Sequence, residues 1–165
     1  MSGFTTRAAR PADIPLVIDL QKQTWWVTYE PIIGKDQCDD MFARIYNESA
    51  LLRQMDEHRF FILEADSTAC GFASYAGPDP NGIFKLHKIY VTPATQGTGA
   101  GRFLLSAIED QVKQRKGNEI RLNVNRHNPA RTFYEKMGYR ILFEEDIPIG
   151  DFWMNDYVMG KLLTV

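Results

Sequence analysis

The segment that most constrains this chain is a glycine-rich stretch near its middle, Gln96-Gly97-Thr98-Gly99-Ala100-Gly101-Arg102. It follows a run that predicts a strand over Ile83–Val91, and the apolar residues after it recur at helical spacing: Leu104, Leu105, Ile108 and Val112. Glycines let the backbone turn tightly and approach a ligand closely. The first turn of a helix offers N–H groups without intrahelical partners and a partial positive charge. Together these features predict a phosphate-binding turn between a strand and a helix.

The order of the glycines separates three kinds of phosphate-binding loop. A P-loop requires GxxxxGK[ST], and no Lys-Ser or Lys-Thr pair follows here. A dinucleotide fingerprint, GxGxxG, would need a third glycine at Arg102 and an acidic residue ending the next strand, which instead finishes Asn123-Val124-Asn125. The pattern Q-x-x-G-x-G fits Gln96, Gly99 and Gly101 in register. On the residues alone, a purely structural glycine turn stays open.

Composition narrows the class of protein. The length of 165 residues suits one domain over residues 1–165, and 44% hydrophobic with 24% charged residues is ordinary for a globular chain. A formal net charge of −2 argues against nucleic acid as the main partner. Cys38 and Cys70 belong to no CxxC or His/Cys cluster, so no metal is expected.

Two further absences in the sequence bear on location. No apolar run approaches the roughly 18 residues of a membrane span, so no membrane partner is expected. The residues from Met1 to Thr6 lack the apolar core of a secretory signal. We therefore expect a cytoplasmic location.

The rest of the chain mixes strands and helices without strict βαβ alternation. Strands are predicted over Phe4–Ala9, Phe60–Ala65, Gly71–Tyr75, Ile83–Val91, Ile120–Val124, Tyr139–Glu144 and Trp153–Met159. Besides the helix after the glycine loop, helices are predicted after Pro11 and over Asp36–Tyr46, Ser49–Met55 and Pro129–Met137. This pattern predicts an α/β fold in the broad sense, with a mixed sheet.

Two motifs, in order, resemble those of the GNAT superfamily of N-acetyltransferases. The strand ending in Pro93, followed by Gln96 to Gly101, resembles the pyrophosphate loop of that family. Leu122-Asn123-Val124, then Asn128, then Phe133-Tyr134 and Gly138-Tyr139, resemble its tyrosine helix and the turn after it. One departure is that Asn128 stands six residues before Tyr134, where many members have seven. The tail Asp156–Met159 and the Lys88–Tyr90 strand resemble, more weakly, the PaiA-type polyamine acetyltransferases.

The resemblance implies a fold and an activity. The fold would be α/β (α+β), a single GNAT-like domain with a mixed, mostly antiparallel sheet of six to seven strands flanked by about four helices. The activity would be direct transfer of the acetyl group of acetyl-CoA, a cosubstrate, to a primary amine of a polyamine-like small molecule or a peptide. A non-catalytic acyl-CoA-binding module is the alternative, and homodimerisation stays open.

The resemblance also implies roles for individual residues in binding acetyl-CoA. The backbone of the strand would pair with pantetheine, with the Val91 N–H as oxyanion donor, and Tyr134 would be the general acid that protonates the thiolate. The Asn128 side chain would contribute a further contact, and Arg131 or Lys136 would reach the 3′-phosphate. The predicted cofactor-binding residues are Ile89, Tyr90, Val91, Gln96, Gly97, Thr98, Gly99, Ala100, Gly101, Arg102, Asn128, Arg131 and Lys136.

Strand alternation places His87 on the same face as Ile89 and Val91, with Lys88 and Tyr90 opposite. Some members of the superfamily carry a histidine base at this position, so His87 is predicted to be the general base. An ordinary strand histidine is the alternative.

An aromatic cluster of Trp25, Trp26 and Tyr29 lies where the family builds its acceptor wall. Aromatic faces there could stack on a cationic amine, so these three residues are predicted to bind the substrate. Core packing is the alternative.

Overall fold

A seven-stranded sheet organises the fold in the computed structural model, which describes residues 3–163. The strands are β1 (Phe4–Ala8), β2 (Arg59–Ala65), β3 (Thr68–Ala76), β4 (Phe84–Val91), β5 (Glu119–Asn125), β6 (Arg140–Ile149) and β7 (Phe152–Leu162). Their order across the sheet is β1-β2-β3-β4-β5-β7-β6. Only β4 and β5 pair in parallel, and the other neighbours are antiparallel. The predicted mixed, mostly antiparallel sheet is therefore confirmed.

Five helices cover the two faces of the sheet, one more than the expected number of about four. They are α1 (Ile14–Ile33), α2 (Lys35–Ile45), α3 (Glu48–Glu57), α4 (Ala100–Gln114) and α5 (Ala130–Lys136). Single 3₁₀ turns over Pro11–Asp13 and Pro93–Thr95 precede α1 and the glycine loop. Among residues 3–163, no helix is both long enough and apolar enough to cross a membrane.

Strand alternation sends successive side chains to two separate apolar layers. On β2, Ile62 packs in the layer with α1, α2 and α3, whereas Leu63 packs in the layer with α4 and α5. The predicted helical face of α4, including Leu104 and Leu105, is fully buried in the second layer. Each such leucine contributes about 1.5–3 kcal/mol relative to an exposed side chain. Both faces of the sheet are thus covered.

The sheet opens between β4 and β5. These strands pair over three positions only, Phe84↔Ile120, Lys85↔Arg121 and Leu86↔Leu122. On its other side, β4 stays paired with β3 as far as Val91. The second half of β4 therefore has one edge whose backbone groups face an opening rather than a neighbouring strand.

A β-bulge interrupts β4 just where the opening begins. Tyr75 pairs with Leu86 but Ser74 pairs with Lys88, so His87 is an extra residue without a partner on β3. Because one extra residue shifts the alternation, Leu86 and Ile89 both pack in the α4–α5 layer. Tyr90 packs in the α1–α3 layer.

Candidate active site

The glycine loop adopts a backbone that most residues would avoid. Gly97 and Gly99 have φ angles of 79° and 90°, in the left-handed region, and Gly99 is the N-cap of α4. A Cβ added at either glycine would have no neighbour within 4 Å, so both face open space. The first N–H of this turn with an intrahelical partner is that of Phe103, which donates to the Gly99 carbonyl over 3.0 Å. The N–H groups before it are available to an anion.

A cleft of about 1320 Å³ runs from this loop along the open edge of β4 to α5. Its lining includes the cations Arg102 and Lys136 but, within residues 3–163, no aspartate or glutamate. The predicted cofactor residues that line it are Ile89, Tyr90, Val91, Gln96, Gly97, Gly99, Gly101, Arg102, Asn128 and Lys136. Its size, its charge and its free amide donors suit a large phosphorylated ligand.

The backbone of β4 presents hydrogen-bonding groups to this cleft. Thr92 N–H donates to the Cys70 carbonyl on the β3 side over 2.8 Å. Backbone groups of successive residues point to opposite edges of a strand, so the N–H groups of Val91 and Ile89 point to the unpaired edge. The opening thereby leaves two donors facing the cleft beside Tyr134.

Tyr134 lies where this cleft meets a second, smaller cavity, and it lines both. Its ring packs edge-on against Phe133 and Tyr139. Burial raises the pKa of Tyr134 well above its ordinary value of 10.0, so the phenol stays protonated at neutral pH. Its hydroxyl has no hydrogen-bond partner among the described side chains and backbone, and it is free to donate into the cavities.

The second cavity, of about 230 Å³, lies on the α1–α2 side of the opening. Four tyrosines surround it, and we call it the acceptor cavity; they are Tyr29, Tyr46, Tyr90 and Tyr134. The hydroxyls of Tyr29 and Tyr90 are 3.3 Å apart, and Tyr46 accepts a hydrogen bond from Gln21 over 2.9 Å. Burial raises the pKa values of Tyr29, Tyr46 and Tyr90, which keeps these hydroxyls neutral.

The expected orientation of His87 is wrong because the bulge reverses its face. His87 does line the acceptor cavity, but its ring stacks on His58 at 3.8 Å rather than following Ile89 and Val91. His87 as a whole is exposed, but desolvation of its ring against His58, with the positive charges of Lys85 and Lys88 nearby, lowers its pKa to about 3. A histidine with so low a pKa accepts a proton poorly at neutral pH, so the structure gives little support to His87 as a general base.

The three predicted acceptor-wall aromatics separate in the structure. Tyr29 lines both cavities, and Trp25 lines the acceptor cavity while its indole donates to the Cys38 carbonyl over 2.9 Å. The placement of Trp26 in this wall is wrong. Its indole donates to Asp39 over 2.7 Å and its ring packs on Phe42, so hydrophobic packing between α1 and α2 holds it away.

Several predicted cofactor residues do not present their side chains to the cleft. Arg131 lies over the Tyr157 ring at 5.5 Å and pairs with Glu135. Thr98 donates back to the Thr95 carbonyl, and the methyl group of Ala100 is buried in the core. Ala100 therefore offers a ligand only its backbone, and the Thr98 N–H already donates to the Thr95 carbonyl over 3.4 Å.

Asn128 both caps a helix and lines the two cavities. Its Oδ1 accepts from the Ala130 N–H over 2.9 Å at the start of α5, and its residue is buried. This bond leaves the amide nitrogen of Asn128 as the group available to a ligand.

Among the residues of the acceptor cavity that the sequence did not predict as site residues, three are ionisable: Tyr46, Lys88 and Asp156. In the sequence, Asp156 is the single carboxylate within a run that predicts a strand, and in the structure it is buried. Lys88 was visible as a cation on a half-buried strand. No sequence pattern marks Tyr46 as a site residue, because it stands at the end of α2, far along the chain from β4 and β7. Among residues 3–163, no cluster of metal-ligating side chains occurs.

Known proteins share both this sequence and this fold. Residues 29–148 match the family described as an acetyltransferase (GNAT) domain. An uncharacterized N-acetyltransferase of Mycobacterium tuberculosis is 30% identical over 145 residues, covering 86% of this chain and 92% of the relative. The uncharacterized N-acetyltransferase YuaI of Bacillus subtilis is 24% identical, covering 94% of this chain and 91% of its own.

Two solved structures resemble the whole fold. The PaiA N-acetyltransferase of Thermoplasma acidophilum, solved in complex with coenzyme A, superposes with a TM-score of 0.82 at 25% identity, covering 98% of this chain and 99% of that one. A GCN5-related N-acetyltransferase of Rhodopseudomonas palustris superposes with a TM-score of 0.86 at 21% identity, covering 99% and 98%. The glycine loop, the opened sheet and these relationships lead to one identification. This chain belongs to the GNAT family of acetyl-CoA-dependent N-acetyltransferases.

Proposed function

We propose that this protein transfers the acetyl group of acetyl-CoA directly to a primary amine, either of a small molecule, polyamine-like in the first instance, or of a peptide. The observation that carries the proposal is the opening between β4 and β5, which joins a cationic cleft to a tyrosine-lined cavity. Acetyl-CoA fits the cleft and an amine fits the cavity. The two would meet at Tyr134, which lines both.

The residues of the cleft suit acetyl-CoA on structural grounds. Gly97 and Gly99 leave open space where side chains would stand, and the first turn of α4 supplies free N–H groups for the pyrophosphate. Arg102 and Lys136 supply the positive charge. The unpaired edge of β4 supplies donors and acceptors for an extended pantetheine.

Acetyl-CoA supplies a thioester: the amine nitrogen bonds to its carbonyl carbon, the C–S bond breaks, the amine loses a proton and the departing sulfur gains one. The Val91 N–H points to the unpaired edge and would stabilise the negative charge that develops on the carbonyl oxygen. Tyr134 would donate a hydrogen bond, and then a proton, toward the sulfur. Because the pKa of Tyr134 is raised, its contribution is mainly that of a donor.

The experiment that tests this function compares ligands on the purified chain. Acetyl-CoA should raise the Tm while ATP and NAD, at equal concentration, should not. A panel of polyamines, amino acids and peptides should then release thiol from acetyl-CoA in an amine-dependent manner. Stabilisation without thiol release from any amine would instead indicate a non-catalytic acyl-CoA-binding module.

A further inference from the structure

The acceptor cavity carries opposite charges on its two walls. Lys88 lies on the β4 wall, and Asp156 lies on the wall formed by β5 and β7. Within residues 3–163, neither side chain forms an ion pair with an oppositely charged one. A charge inside a cavity costs free energy unless a partner compensates it, so each of these groups needs an oppositely charged partner.

Lys88 lines the cavity without an ion-pair partner among residues 3–163. Its Nζ lies 4.8 Å from the centroid of the Tyr46 ring, beside the stacked pair His58 and His87. Burial lowers the pKa of Lys88 to about 8, and no carboxylate in the described part of the chain offsets this effect. An anionic group of a ligand would supply the negative charge that residues 3–163 do not provide to Lys88.

Polar groups without partners surround this lysine. Ser74 is the cross-strand neighbour of Lys88 in the β3–β4 pair, and its hydroxyl is fully buried without a hydrogen bond among residues 3–163. The Nδ1 of His58 is likewise buried and unpartnered in the described chain. Native cores leave few such atoms unsatisfied, so the surroundings of Lys88 are not those of an ordinary packed core.

Asp156 lies on the wall formed by β5 and β7, in the same cavity that Tyr134 lines. It is 5% exposed, and one carboxylate oxygen accepts from Asn123 over 3.2 Å while the other has no partner among the described residues. Asp156 lines the acceptor cavity together with Tyr29, Tyr90 and Tyr134, so its carboxylate shares one space with their hydroxyls. The carboxylate is thus positioned to receive an ammonium group close to the thioester site.

We propose that the acceptor is a small amino acid, an amine that also carries a carboxylate, with its ammonium group held by Asp156 and its carboxylate by Lys88. This inference rests on the proposed acetyltransferase function and names its acceptor class. Lys88 is then the specificity-determining residue. A polyamine would instead place a second ammonium group against Lys88, and like charges in a cavity repel.

The size of the cavity agrees with this class. Its volume of about 230 Å³ is below the roughly 300–1,000 Å³ of sites for drug-sized ligands. A molecule with a few carbon atoms between its amine and its carboxylate is of a size that suits this cavity. Acceptors that differ in the number of carbon atoms between amine and carboxylate will show which spacing is preferred.

The test compares matched pairs of acceptors on the purified full chain. Glycine, β-alanine and 4-aminobutyrate are each paired with the corresponding amide, and spermidine is added. The best carboxylate should exceed its amide in kcat/KM by about tenfold or more, as expected for a charge-assisted contact. Lys88→Gln should bring this ratio near one, and Lys88→Arg should retain most of it. The matched control is Lys85→Gln, since Lys85 is exposed on the same strand outside this cavity, and it should leave the ratio unchanged.

The outcomes separate this inference from the function on which it rests. Thiol release that favours spermidine, acidic peptides or the amides would overturn the amino-acid acceptor while leaving the acetyltransferase intact. A carboxylate preference that survives in Lys88→Gln would remove Lys88 from the role. If no amine releases thiol, calorimetry on the CoA-loaded protein measures the same pairs without turnover, and equal affinities for carboxylate and amide overturn the inference.

Discussion

Tyr134 is the residue at which the two cavities meet, and what it does there depends on its hydroxyl alone. The ring is held by Phe133 and Tyr139, so removing the hydroxyl should leave the packing intact. We propose that this protonated phenol donates to the departing sulfur and contributes little to the affinity for the bound cosubstrate.

We therefore expect Tyr134→Phe to lower kcat about tenfold to a hundredfold with little change in the KM for acetyl-CoA. Steady-state kinetics with acetyl-CoA varied measures both. A pre-steady-state burst in the parent protein would show whether chemistry limits kcat. An unchanged kcat, with chemistry limiting, would make Tyr134 a packing residue.

His87 is expected to contribute little to proton transfer, despite the sequence pattern that predicted a base. Because its pKa is lowered to about 3, the imidazole is neutral near pH 7 and should not titrate in this region of the pH–rate profile. His87→Ala should change kcat less than about threefold and leave the pH–rate profile unchanged. A loss of a hundredfold, with an acidic limb removed from the profile, would restore the assignment of His87 as base.

Lys88 should give the acceptor preference a characteristic dependence on pH. Its pKa is lowered to about 8, so its charge is present below that value and is lost as pH rises through it; a bound carboxylate favours the charged form and moves the midpoint upward. The neighbouring histidines have lowered pKa values and the tyrosines Tyr46 and Tyr90 have raised ones, so these groups stay neutral here.

The affinity ratio of a carboxylate acceptor to its amide should accordingly fall between pH 7 and 10, by calorimetry on the CoA-loaded protein. In Lys88→Arg the ratio should fall less than in the parent, because a guanidinium does not lose its proton in this range, while the titration of the acceptor amines is common to both proteins. A parent ratio that does not vary with pH would contradict the assignment.

At the scale of single elements, the start of α4 is the part of the cleft most open to a decisive change. Gly101 lines the cleft in ordinary helical conformation, so a larger side chain there tests access without backbone strain. A Cβ at Gly101 would lie 3.4 Å from Phe133, and branches beyond it would crowd the cleft and the phosphate-binding turn. Gly99 is a poorer test, because its positive φ would itself strain any substitute.

Gly101→Val should raise the KM for acetyl-CoA at least about tenfold while the far-ultraviolet circular dichroism stays that of the parent. Ala107→Val, on the same helix but outside the cleft, is the control and should keep the parent KM. Normal affinity of Gly101→Val for acetyl-CoA would argue against a phosphate site at this turn.

The same helix is tied to the far end of the sheet by a buried carboxylate. Glu109 of α4 accepts from the Tyr139 hydroxyl over 2.8 Å and from the Lys161 ammonium over 3.1 Å. Removing that carboxylate leaves a buried hydroxyl and a partly buried cation without their acceptor. Lys161 retains some access to water, which moderates the cost.

We expect Glu109→Ala to lower the free energy of unfolding by about 2 kcal/mol. For a chain of this length that corresponds to a Tm decrease of roughly 4–8 °C by calorimetry. Glu135→Ala removes an exposed ion pair with Arg131 and should cost less than about 1 kcal/mol. Equal effects of the two changes would show that the buried link adds nothing.

For the molecule as a whole, local sequence patterns predicted the elements well but not the register between them. The glycine loop, the strand before it and the helix after it could be predicted because glycines and apolar spacing are local signals. The bulge at His87 could not, since neither glycine nor proline marks it and it depends on how β4 aligns with β3. The orientation of Trp26 depended on the packing of α1 against α2, which is equally distant in sequence.

The difference between local and long-range information also explains which parts of the candidate site could be predicted from the sequence. The proposed phosphate-binding turn lies within one continuous stretch, so its residues could be predicted together from the sequence. The acceptor cavity gathers side chains from α1, α2, β4, β5 and β7, and only the assembled sheet brings Lys88 and Asp156 to one space. Tertiary structure, rather than any motif, creates that pair.

Beyond the bulge in β4, successive side chains face two different layers of the fold. Ile89 and Val91 pack toward α4 and α5, while Lys88 and Tyr90 belong to the layer with α1 and α3. Lys88 lines the acceptor cavity but not the cleft, whereas Tyr90 lines both. Replacing Lys88 therefore leaves the lining of the cleft and the open backbone edge of β4 undisturbed. A lineage with this strand can exchange one acceptor for another at position 88 without rebuilding the cleft proposed to receive acetyl-CoA.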